Sequence, residues 1–128
     1  MTLETNSLNE RTFRPAVIGF VQTVRDGHPD TPLAVISPIL SAPREQTPNQ
    51  VGMTLRLMRE EIAAAVAALR AHGDRNLHYV DGLRVMGTEQ AHLIPGDTHP
   101  SAEGYKVMAR RFLRHVVDDL FVRQRAAS

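Results

Sequence analysis

The stretch His92-Leu93-Ile94-Pro95-Gly96-Asp97-Thr98-His99-Pro100-Ser101-Ala102-Glu103-Gly104-Tyr105 holds the residues whose types and spacing best suit chemistry. An imidazole titrates near neutral pH, so a histidine fixed in a loop beside a carboxylate is suited to general base work. His99 is followed directly by Pro100 and the start of a helix, and Asp97 stands two residues before it. Each also has a plainer reading. A histidine at a helix entry serves equally as a surface or capping residue, and aspartate is favoured in loops for its local hydrogen bonds. His92, Asp97 and His99 could share a metal ion, but three ligands crowded in one loop with no further acid do not make a recognisable site, and no metal is expected.

The elements that would position this loop follow from hydrophobic periodicity. Phe13, Val17, Phe20, Val21 and Val24 recur at spacings of three and four, which predicts an amphipathic helix from about Thr12 to Arg25, with Thr12 as N-cap and Pro15 in the first turn. Leu33-Ala34-Val35-Ile36, bounded by Pro32 and Pro38, predicts a short strand buried on both faces, as in parallel sheets. A loop from Ser37 to Gln50 follows, with Ser37 read as part of a turn. The second helix is expected from about Val51 to His72, burying Leu55, Met58, Ile62, Ala65, Val66 and Leu69 and closed by Gly73. Leu77 to Val80 is a second strand, and Leu83 to Pro100 a second loop. A last helix runs from about Ala102 to Val122, with an apolar face of Tyr105, Val107, Met108, Phe112, Val116, Val117, Leu120 and Phe121. Glu60, Glu61, Arg110, Arg111 and Arg114 are expected to face solvent, and Met53, Met58, Met86 and Met108 the core.

Helix, strand, helix, strand, helix argues for an α/β parallel sheet over residues 1–128 as a single domain, with a fraying tail at 123–128. Two strands make a poor sheet with open edges, so the domain reads as incomplete at its N-terminus. Ligands of such sheets bind beyond the carboxyl ends of the strands, where the His99 loop would lie.

Composition narrows the function classes. Lys and Arg number 15 against 14 Asp and Glu, and the aromatics are four Phe and two Tyr, so the footprint of a nucleic-acid-binding protein is missing. The absence of cysteine excludes disulfides and thiolate metal sites and suits a reducing compartment. No run nears the ~20 apolar residues that span a bilayer, and Met1 to Asn9 is too polar for a secretory leader. The chain as given reads as cytoplasmic, without a membrane partner, unless a missing N-terminal segment carries an export signal.

The segment from Asp97 to Tyr105 resembles the last block of SGNH (GDSL-like) hydrolases: a D-x-x-H-P segment, then Gly-Tyr and a helix. Glu10-Arg11-Thr12-Phe13, His28-Pro29-Asp30-Thr31-Pro32-Leu33, Ser37-Pro38-Ile39 and Tyr79-Val80-Asp81-Gly82 also resemble bacterial members, so the likeness runs from about residue 10 to 122. The resemblance implies a three-layer, flavodoxin-like α/β fold, of which this is the C-terminal portion. It further implies an esterase or acylhydrolase acting on a small ester without cofactor, with His99 as general base.

Three departures qualify that. Gly96 takes the place of the family's Asp, three residues before the histidine, and Asp97 lies one residue closer; a main-chain carbonyl can orient the ring instead. No Gly-Asp-Ser block is present, since none of Ser7, Ser37, Ser41, Ser101 and Ser128 follows Gly-Asp. The Gly and Asn blocks of the oxyanion hole are not recognisable; Asn6 is a weak candidate for the latter, and Asn6 or Asn9 serves as readily at a helix entry. The alternative reading is a truncated, inactive remnant or pairing module of the same fold. Either form is expected to self-associate, or to expose apolar surface, where a missing segment would cover it.

Overall fold

A computed structural model describes residues 8–97 and 99–122, the side chain of Asp97 excepted. Helix α1 spans Glu10–Gly27, strand β1 Leu33–Ile36, helix α2 Leu55–Ala71, strand β2 Leu77–Val80 and helix α3 Ala102–Phe112, which continues as a π-helical segment, Leu113–Val122. Short 3₁₀ turns at Ala42–Arg44, Gly82–Arg84, Thr88–Leu93 and Pro95–Asp97 occupy the loops. None of the described helices is long and apolar enough to cross a membrane.

Helix α1 begins earlier than its periodicity indicates. Asn9, not Thr12, is the N-cap: its Oδ1 accepts from the N–H groups of Arg11 and Thr12, at 3.0 and 3.3 Å, while Thr12 Oγ1 accepts from the Asn9 N–H at 3.0 Å. This reciprocal box satisfies N–H groups that the first turn leaves orphaned. Pro15 therefore lies inside the helix rather than in its first turn. Thr54 caps α2 through the Leu57 N–H at 3.1 Å, so the helix begins at Leu55, four residues later than expected.

The strands pair in parallel, Leu33 opposite Leu77 and Ile36 opposite Val80. Alternation along them divides the core in two. Leu33, Val35, Leu77 and Tyr79 pack with Val21 of α1 and Val66 of α2, and Val35 and Tyr79 also meet Phe13, Val17, Met58 and Ile62. Ala34 and Val80 turn the other way, toward Leu40, Met86, Ile94, Val116 and Leu120. Helices thus cover both faces of the strand pair. The Leu33 N–H donates to Asn76 O at 2.9 Å and the Ser37 N–H to Val80 O at 3.0 Å. By the alternation of a parallel ladder, the backbone groups of Ala34 and Ile36 point to the opposite edge of β1. Among the described residues no third strand pairs with that edge.

Expectations of solvent exposure or burial are overturned at four residues. Glu61 is buried and accepts a bidentate pair from Arg14, at 2.7 and 2.8 Å, because it falls on the seam between α1 and α2. Arg111 folds inward, its Nε donating to Val85 O and its Nη2 to Arg84 O, both at 2.9 Å, and ties α3 to the segment leaving β2. Conversely, Tyr105 and Phe112 are 48% and 38% exposed. A pair of strands is too narrow to cover the broad apolar face of this helix. Met53, Met58 and Met86 are in the core as expected, and Met108 packs against its margin.

Arg59 is also buried, donating to Pro38 O at 3.2 Å and pairing with Glu45. Removing one partner of a buried ion pair strands the other without compensation. Glu45→Ala is expected to cost about 2–3 kcal/mol, below the full penalty because the Glu45 side chain is 21% exposed. Denaturant titration checks this; a midpoint shift equal to that of an exposed-pair control such as Glu60→Ala would count against it.

Candidate active site

Parallel strands deliver their loops to one end, and here those loops are fastened to each other. Ser37 follows β1 and Gly82 follows Asp81 at the end of β2. The Ser37 hydroxyl oxygen, on a residue 3% exposed, accepts from the Gly82 N–H at 3.0 Å and from the Tyr79 hydroxyl at 3.1 Å. Burial pushes the Tyr79 phenol above its ordinary pKa, partly opposed by its bond to Ser37. A side chain on Gly82 would overlap the carbonyl oxygens of Ser37 and Pro38, so the two chains cross at a distance only glycine permits. Farther out, the Leu40 N–H donates to Met86 O at 3.0 Å. Ser37 is thus a structural latch, not an accessible nucleophile.

The loop bearing His99 is seated on this platform. Ile94 is buried in the cluster that holds Leu40, Val80, Val85 and Met86. The chain then passes through Pro95–Asp97, where Gly96 turns with φ 70°. His99 is exposed, and Pro100 beside it is buried. Ser101 caps α3, its Oγ accepting from the Gly104 N–H at 3.1 Å. His99 therefore stands, exposed, at the entry of α3, five residues beyond the buried Ile94. Asp97 closes the turn before it, with a side chain outside the described set; Asn6 lies outside the described residues altogether, and Asn9 is engaged as the cap of α1.

A concavity of about 420 Å³ opens beside the end of β2, lined by residues including Glu45, Arg59, Tyr79, Asp81 and Leu83. His99 is not among its described lining residues. Among the described residues no group of three or more His, Asp or Glu is placed to hold a metal ion.

Sequence reasoning missed the latch and the inward Arg59. The Asp81-Gly82 pair was readable as a turn, but the crossing that demands glycine at 82 involves residues 45 positions away and leaves no local signal. Gly104 was legible in the Gly-Tyr pair, though not its reason: a Cβ there would lie 2.6 Å from Leu93 O.

No protein-family model matches the chain, and no curated protein does. Solved structures do. The salicylyl-acyltransferase SsfX3, from a tetracycline biosynthetic pathway, is similar over 84% of this chain and 32% of its own, with 34% identity and a TM-score of 0.74. A protein described as a GDSL-like lipase from Bacteroides ovatus shares the fold over 88% of this chain and 32% of its own, with 23% identity and a TM-score of 0.70. The chain spans about a third of the length of each. The α/β chain thus shares its fold with an acyltransferase and with a GDSL-like lipase over about a third of each, as expected of a portion of an SGNH-type domain.

Proposed function

We propose that this chain is the histidine-bearing portion of an SGNH-family ester hydrolase or acyltransferase, in which His99 is the general base. The observation that carries the reading is the loop of His99, anchored through Ile94 to the platform where both strands end. A serine from a segment beyond these residues attacks an ester or thioester carbonyl; His99 takes its proton and returns it to the departing alcohol or thiol. The second half-reaction passes the acyl group to water in a hydrolase or to an acceptor hydroxyl in a transferase. The 34% identity to a salicylyl-acyltransferase favours keeping the transferase outcome beside hydrolysis. Asp97 or a backbone carbonyl fixes the tautomer of His99, and the oxyanion donors, for which Asn6 is the weak candidate, come from the N-terminal side.

In this reading the sheet continues at the open edge of β1 into a complete three-layer fold. The segment that supplies the strand and the serine also covers the exposed apolar residues Ile36, Tyr105, Phe112 and Leu113. Without it, self-association through those residues is expected.

The test uses p-nitrophenyl acetate. The 128-residue chain is expected to show no turnover above its His99→Ala variant, because the Gly-Asp-Ser block that carries the nucleophile is not among its residues. A rate in this chain alone that disappears on His99→Ala would overturn the assignment of the nucleophile to another segment.

A further inference from the structure

The Leu93 carbonyl is met twice by the segment that follows His99. The Ser101 N–H donates to it at 2.8 Å. The first turn of α3 also lies so close that a Cβ on Gly104 would stand 2.6 Å from the same oxygen and 2.9 Å from the Pro100 Cβ. Those two contacts close a neck. On one side of it Ile94 is 4% exposed, with its N–H bonded to Ala91 O at 3.0 Å; on the other Pro100 is buried. His99 is therefore an exposed side chain on a loop whose ends are both anchored.

We propose that Ser101 and Gly104 are positioning residues for His99: by closing the loop on the Leu93 carbonyl they fix the place of the imidazole. This rests on the reading of His99 as general base. Ser101 has two separable tasks. Its Oγ caps α3 through the Gly104 N–H, while its own N–H makes the neck bond. The cap serves the helix and the N–H serves the loop. A general base must stand within hydrogen-bond reach of the proton it removes, and a displacement of about 1 Å at a reacting group can cost on the order of a hundredfold in rate. An exposed histidine has little packing of its own to hold that position, so the closure of its loop must supply it.

The backbone of Ser101 makes the two tasks separable by experiment. Its φ is −65°, the angle at which proline is fixed, so Ser101→Pro fits the backbone while deleting both the N–H and the Oγ. Ser101→Ala deletes the Oγ alone. Gly104→Ala forces the neck apart by steric contact. The chain labelled at its histidines is examined by NMR, with the exposed His92 as internal reference and the amide protection of α2 as a control for folding. In Ser101→Ala the ring signals of His99 are expected to keep their positions and widths. In Ser101→Pro and Gly104→Ala they are expected to shift and narrow, with α2 protection unchanged. In the full-length protein, Ser101→Pro is expected to lower kcat about 10- to 100-fold relative to Ser101→Ala, with KM within about twofold. Signals of His99 in Ser101→Pro that superimpose on those of Ser101→Ala would overturn the proposal. Loss of α2 protection in Ser101→Pro would overturn it too, by making the neck a requirement of folding. The NMR arm is independent of turnover, so a failed neck is told apart from a failed general base: the latter is seen as full activity in His99→Ala.

Discussion

In the full-length protein, His99→Ala is expected to lower kcat/KM for an activated ester by about a thousandfold or more while moving Tm by no more than about 2 °C. The two halves of this prediction have separate causes. The rate falls because the serine hydroxyl is a weak nucleophile at its own pKa and loses the acceptor of its proton; removing a proton acceptor that acts as a unit with the nucleophile costs nearly as much as removing the nucleophile. Stability is spared because His99 is exposed, and surface substitutions away from caps and networks usually fall within about 0.5 kcal/mol. Steady-state kinetics and thermal melts measure both. A rate loss matched by a large fall in Tm would mean that His99 holds the loop together rather than accepting a proton.

The largest structural effect is expected at Gly82. Gly82→Ala drives a methyl group into the Ser37 and Pro38 carbonyl oxygens, and to within 2.6 Å of the Pro38 carbonyl carbon. These are backbone atoms and cannot rotate away as a side chain can. Relief requires the end of β2 to part from the end of β1, breaking the bond from the Gly82 N–H to Ser37 and loosening that from the Leu40 N–H to Met86. The expected cost is about 3 kcal/mol or more, equivalent to a fall in Tm of about 10 °C. Gly19→Ala is the control: on α1, nothing lies within 4 Å of the added Cβ, and helix propensity alone should raise stability by about 0.5–1 kcal/mol. Equal effects at the two positions would contradict the crossing geometry.

Both strands were legible in the sequence to the residue, Leu33 to Ile36 and Leu77 to Val80, because each is a short apolar run with turn-forming residues at its ends. The third helix begins at Ala102 as read, but the first two were legible in place and not in their beginnings. Asn9 and Thr12 together make the cap of α1, and periodicity cannot tell which member of a box lies outside the helix. Charges were misread where a neighbouring element decided their fate. Glu61 meets Arg14 across 47 positions and Arg111 meets Val85 across 26. Tyr105 and Phe112 carry the opposite lesson: their sequence reads as an apolar face, and these residues supply too little sheet to bury it. At the candidate site, His99 stands out in the sequence through its block, while the neck at Leu93, Ser101 and Gly104 emerges only from the backbone's path.

In the proposed reaction His99 accepts a proton from a serine contributed by another segment. Labelling of the full-length protein with a fluorophosphonate, followed by mass spectrometry of the adduct, tests it most directly. One adduct is expected, on a serine outside residues 1–128, with a rate of formation that falls at least about a hundredfold in His99→Ala. An adduct on Ser37, Ser41 or Ser101, or labelling at equal rates with and without the imidazole, would contradict it.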